Sequence, residues 1–234
     1  MKKLGAFRNI FILFLIFSVN NFCFCEDFVE EEKKDLESNR KIDFVLDFGA
    51  GLYLNPESSN LKGAPSPVNF EFSFGAIIPK ETMFSVAPKL TFFTMNHLWY
   101  EDVALPAEIE NRTSRTLAFY LNIPFCFTLN LEKSKFLFSL GPGIMMQFAF
   151  LASSVSENDE GFLGSAKDDV ERMNSWFWEN SRWLYGTFEF SWLYKVTEKL
   201  SAGPSALVRL PVGTLISEQS FLGSVFSLGM KICF

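Results

Sequence analysis

Six charged residues stand where a charge is least expected. Asp47 lies in "FVLDFGAGLYL", Glu71 in "VNFEFSFGAI" and Lys89 in "FSVAPKLTF". Glu189 lies in "LYGTFEFSWLY", Arg209 in "LSAGPSALVRL" and Lys231 in "SVFSLGMKICF". Each has an apolar residue on both sides, so each shares a face with small residues such as Gly49, Ser73, Ser191 and Gly229. Three acids and three bases turned into one narrow space would form ion pairs. Heights estimated from segment ends pair Glu71 with Lys89, Glu189 with Arg209, and Asp47 with Lys231. Such a set points to an ionic plug.

Other chemistry has thinner support. His97 in "FTMNHLWY" is the one histidine. A serine nucleophile needs its base within hydrogen-bond reach, and only folding could bring Ser154, Ser156 or Ser217 there. A lone histidine beside Trp99 and Tyr100 reads better as an interface residue, so no catalytic residue is assigned. The acidic run Glu157, Asn158, Asp159 and Glu160 lacks the spacing of a calcium loop, so neither a metal nor a cofactor is expected. Cys126 and Cys233 fall on non-adjacent segments. A disulfide needs Cα atoms within about 7 Å, so both are expected to stay free.

The segments that carry these residues alternate with a period of two, the signature of strands. Eight such runs cover 42–54, 68–77, 84–92, 117–127, 136–150, 184–194, 200–210 and 224–234. The connections "IPKET", "LNLEKSK" and "VTEK" are short, whereas 55–67, 95–115, 151–183 and 213–220 are long. Short and long connections alternate, as in an up-and-down meander with its long loops at one end. Pro88, Pro124, Pro142 and Pro204 fall inside runs, and proline cannot donate to a ladder. Bulges or local widening are expected there.

Residues 1–25 begin with Lys2, Lys3 and Arg8, continue with "IFILFLIFSV" and end in "NNFCFC". The apolar run is short for a spanning helix and has the order of a secretory signal. Residues 26–41 form a charged tether. The net charge of -6 and the lack of a basic patch exclude nucleic acid as a partner.

Periodicity does not say which face is inside. A secreted lipocalin-like barrel would turn its apolar face inward. Against that, the apolar faces carry no charge across the eight runs, and 29 of the residues are Phe. Trp99, Tyr100 and Trp183 near the long loops, and Trp192 and Tyr194 near the short turns, fit two interfacial girdles. The ensemble over 42–234 resembles the small outer-membrane β-barrels of double-membraned bacteria, the OmpX, OmpA and OmpW type. That resemblance implies an all-β, eight-stranded antiparallel transmembrane barrel, exported through a cleaved signal peptide, with outer-membrane lipid as its surroundings. It also makes Phe226, Leu228, Met230, Ile232 and Phe234 the signal read by the barrel-assembly machinery.

Eight staves leave an interior only just wide enough for side chains. The expected function is therefore a non-enzymatic barrel with a plugged or narrow lumen. It would act through its long loops, on an extracellular ligand, or as a small-solute passage. The alternatives are an OmpW-like channel for small apolar molecules and a lipid-modifying enzyme. For the last, the lipid A deacylase pattern has Ser two residues after its His, where this chain has Trp99.

Overall fold

The computed structural model describes residues 42–54, 67–80, 82–100, 102–107, 114–161, 163–197 and 199–234. The leader and tether expected over 1–41 lie outside the described residues. The rest is one closed antiparallel barrel. Its strands are β1 (Asp43–Leu54), β2 (Val68–Ile77), β3 (Phe84–Val86), β4 (Lys89–Tyr100), β5 (Val103–Ala107), β6 (Ser114–Asn122), β7 (Phe125–Asn130), β8 (Ser134–Leu151), β9 (Leu184–Lys195), β10 (Ser201–Leu210) and β11 (Ser224–Cys233).

These make eight staves. β3 and β4 are the two halves of one interrupted stave, β6 and β7 of another, and β5 is a spur paired only with β4. The ring closes where β11 pairs with β1, from Val45↔Cys233 to Leu54↔Ser224. Beyond that ladder, Phe44 and Phe234 exchange both backbone hydrogen bonds, at 2.8 and 3.0 Å. Each of the eight staves pairs with a neighbour on both sides, as a spanning sheet requires.

The pleat decides sidedness, and it turns Phe outward. Phe44, Phe48, Phe74, Phe188 and Leu228 are each about half exposed, and Phe70 is 83% exposed. The alternate residues, including Asp47, Glu71, Lys89, Glu189, Arg209 and Lys231, are buried inside. A lipocalin-like barrel has the opposite sidedness, so the soluble reading fails on this geometry. Strands of 10 to 12 residues, such as β1, β2, β9 and β10, match the roughly 9–11 residues a tilted strand needs to cross a bilayer. Arg115, exposed beside Phe150, marks the upper rim of this apolar surface.

The prolines do not act as expected. The stave breaks at Ala87–Pro88 and at Ile123–Pro124, yet no residue is inserted at either place. Lys89↔Asn122 and Phe84↔Phe127 keep one register, as do Asn122↔Gly143 and Phe125↔Leu140. Pro142 pairs in register with Gly186, and pairing on both sides of Pro204 is in step. The wall is tight rather than widened. At Gly75 the Pro88 carbonyl stands where a side chain would have to begin. A missing donor interrupts the ladder, but small residues opposite let the strands stay close.

The long loops hold structure that a period of two does not reveal. β4 continues to Tyr100 and folds back through β5, with Asp102 in the left-handed region at φ 63°. Helix α1 (Ala166–Trp178) follows β8, and a short helix α2 (Val212–Ser217) follows β10. Ser165 caps α1, accepting from the Asp168 N–H, while the Asp168 carboxylate accepts from the Ser165 N–H. This reciprocal box satisfies donors at the helix start.

Candidate functional site

The lumen is filled in layers. At the short-turn end Asp43 binds Lys80 at 2.9 Å and Lys135 at 3.4 Å. Just inside lies an apolar disc of Val45, Ile77, Cys126, Leu137, Leu193 and Cys233. Both cysteines there are free thiols.

Two ion clusters come next. Lys89 donates to Asp47 at 2.9 Å and to Glu189 at 2.8 Å. Lys231 also pairs with Glu189 and stands 4.0 Å from Asp47 Oδ1, which has no hydrogen-bond partner. Above them Arg209 grips Glu71 with two parallel bonds of 2.7 Å. The guanidinium lies 4.9 Å from the centre of the Tyr120 ring. Each cluster is neutral in sum, as burial of charge demands. The pairing differs from the expectation. Glu71 takes Arg209 rather than Lys89, Glu189 takes the two lysines rather than Arg209, and Asp47 binds Lys89 more closely than Lys231. The expectation followed neighbouring staves. In a barrel this narrow, long side chains reach across the lumen instead.

Tyr53, Phe93, Tyr120, Met145, Tyr185 and Val225 form the next layer. The glycines do not open a channel through it. A side chain at Gly143 would collide with the Tyr120 ring, and one at Gly51 with the Glu71 carboxylate and the Asn69 amide. Cavities beside the ion clusters measure about 10 and 30 Å³, room for one or two waters.

Helix α1 caps the far end. Its residues at helical spacing, Met173, Trp176 and Phe177, bury against Trp99, Ala104, Leu105, Ala149 and Leu222. Asn174 fastens the helix to β8 through both backbone groups of Ala149, at 2.9 and 3.0 Å. Arg182 lies over the Trp176 ring at 4.2 Å and pairs with Glu218 beside α2. Two signals for this cap are in the sequence: the Ser165–Asp168 box and the apolar spacing Val170, Met173, Phe177. A search for period-two runs passes over both.

The cap relocates part of the proposed girdle. Trp99 is 4% exposed and points inward beneath α1, so it is not a lipid-facing residue. Trp183 is half-buried at the base of β9, and the Tyr100 side chain lies outside the described residues. Trp192 and Tyr194 are about half exposed on the outer wall at the short-turn end, with Trp192 stacked on Phe136. Phe226, Leu228, Met230 and Phe234 all face outward on the β11 side, and Ile232 is half-buried among them.

His97 is also inside. Its Nδ1 lies 2.9 Å from Thr116 Oγ1, and its ring meets Phe177 edge-on at 4.9 Å. Two of the serines considered for it are engaged elsewhere: Ser156 donates to Asp159, and Ser217 donates to Asn180 and Gly213. Asp159 in the acidic run accepts from the Ser156 N–H and hydroxyl, which hold its carboxyl below the usual range. Among the described residues no group of three or more His, Cys, Asp or Glu could hold a metal ion.

No protein-family model matches the sequence, and no curated protein matches it either. Among solved structures the chain is similar to Neisserial surface protein A, at 7% identity over 82% of this chain and 95% of that one, with a TM-score of 0.49. It is also similar to the Yersinia pestis attachment invasion locus protein Ail, at 8% identity over 84% and 99%, TM-score 0.41. A third is the N-terminal β-barrel domain of Pseudomonas aeruginosa OprF, at 10% identity over 84% and 98%, TM-score 0.37.

Proposed function

We propose that this chain is a bacterial outer-membrane barrel, held in lipid by its Phe-rich wall, with a lumen packed shut and its work done at the long-loop end. The observation that carries this reading is the inverted core. The wall that faces outward is apolar and free of charge between its rims, and the charges that would line a pore neutralise one another across it. A helix fastened over the mouth supports a scaffold role, since rigid barrels present loops for recognition. Export through the 1–25 leader and recognition of the outward apolar side chains of β11 by the barrel-assembly machinery belong to the same proposal.

The test is planar-bilayer conductance of the refolded chain, with insertion verified by heat-dependent migration on gels. A silent bilayer is expected. Discrete openings would overturn the closed lumen and turn Glu71 and Arg209 into a gate.

A further inference from the structure

Helix α1 straddles the rim as well as closing the mouth. Asn174 ties it to Ala149, which faces the lumen, and Met173, Trp176 and Phe177 are buried inside. The next side chain goes over the top. Trp178 is 46% exposed, and its ring meets Phe148 edge-on at 6.4 Å. Phe148 precedes Ala149 on β8 and belongs to the outward apolar wall. It pairs with Leu117, two positions below the Arg115↔Phe150 pair. Trp178 therefore stands at the height where the wall passes from apolar side chains to charge.

The loop after β10 reaches the same surface. Gly186 of β9 pairs with the outward Leu210, so it lies on the outward face. A side chain there would meet Val212 at 3.1 Å, which places the start of α2 on the outside of the barrel. Ile216 of α2 is 65% exposed, and Phe221 beyond it is 56% exposed, while Leu222 is buried in the mouth. Two residues join α2 to the turn after Trp178. Ser217 donates to the Asn180 carbonyl at 3.0 Å; Glu218 accepts from Asn180 at 2.9 Å and pairs with Arg182. Apolar residues scattered singly over a surface need no explanation. These three continue an apolar wall at its upper boundary and stand beside ion pairs. An indole, apolar in body with a polar N–H, is suited to that level of a bilayer.

We infer that Trp178, Ile216 and Phe221 are sunk into the headgroup–acyl boundary of the surrounding bilayer, so that lipid, as well as Asn174, holds the cap over the mouth. This rests on the proposed placement of the wall in lipid. The test compares tryptophan emission of the refolded full chain and its Trp178→Phe variant in vesicles of phosphatidylcholine brominated near the top of the acyl chains. Interfacial apolar faces sink about 5–10 Å into that boundary, within reach of the bromines. The emission lost in Trp178→Phe is expected to be emission that bromolipid quenches and aqueous iodide spares. The Ile216→Glu, Phe221→Glu double variant should reverse this, because the Glu218 contacts carry α2 and the Trp178 turn together. Heat-dependent migration reports that each variant folds. Quenching of Trp178 by iodide in place of bromolipid, or bromolipid quenching that the double variant leaves unchanged, would overturn the inference. Trp192, exposed on the outer wall at the short-turn end, is the control, read through Trp192→Phe. Its quenching by bromolipid leaves the membrane reading standing in either case. Absence of bromolipid quenching at both tryptophans would overturn the membrane reading, and the inference with it.

Discussion

Replacing Arg209 by methionine tests whether the lumen is a dry core. Arg209 is 1% exposed and gives Glu71 two bonds of 2.7 Å. Without it the Glu71 carboxylate keeps only longer contacts, 3.4 Å from Asn69 Nδ2 and 3.3 Å from Ser227 Oγ. Breaking one side of a buried pair costs about 3–5 kcal/mol, because the partner charge is left without compensation. At RT near 0.59 kcal/mol this lowers the folding constant by at least ~100-fold. Removing both charges, as Arg209→Met with Glu71→Gln, should restore most of the loss, since a polar amide can use the Asn69 and Ser227 contacts. The double-mutant cycle then yields a coupling of about 2–4 kcal/mol. The assay is urea unfolding in lipid vesicles, followed by tryptophan fluorescence and gel migration. If the single variant costs under about 1 kcal/mol, the pair behaves as a hydrated surface bridge, and the closed-lumen argument is wrong.

Further outcomes follow from the same structure. Asn174→Ala removes both bonds that tie α1 to Ala149 and should cost about 1–3 kcal/mol, read as faster amide exchange in α1 with the barrel ladders unchanged. The Ser165 N–H and hydroxyl hold the Asp168 carboxyl below its usual range. That cap therefore contributes fully above the ordinary carboxylate pKa of about 4 and is lost as pH falls through the depressed value, so acid should expose the 156–178 loop to protease before the barrel opens. Cys126 and Cys233 are buried in the apolar disc, so thiol reagents should label neither in the folded barrel and both after denaturation.

The sequence makes some levels of this structure plain and hides others. Phe44, Leu46 and Phe48 alternating with Asp43, Val45 and Asp47 are enough to place β1 and its two faces, because a strand's period is fixed by backbone geometry. Partners of charges are not fixed that way. Glu71 meets Arg209 across the lumen, three staves round the ring, a contact that depends on barrel radius and stave tilt rather than on spacing along the chain. Trp99 was misread for a related reason: period two puts it on the inward face with His97, but the aromatic cue for a membrane interface outweighed that parity. Helix α1 announces itself through Ser165, Asp168 and Met173, signals of period 3.6 that lie between strands and are easily passed over as loop.

The stave made of β3 and β4 is weakened twice. Proline interrupts it at one end, and at the other β2 leaves one of its edges unpaired above Glu71↔Phe93. A hoop that is stiff around most of its rim and compliant at one place does not deform evenly, and strain from any direction collects there. With the wall in lipid as proposed, stretching or thinning of the bilayer should therefore register at this stave first. Spin labels placed across β2 and β4 would separate while labels across β10 and β11 hold their distance.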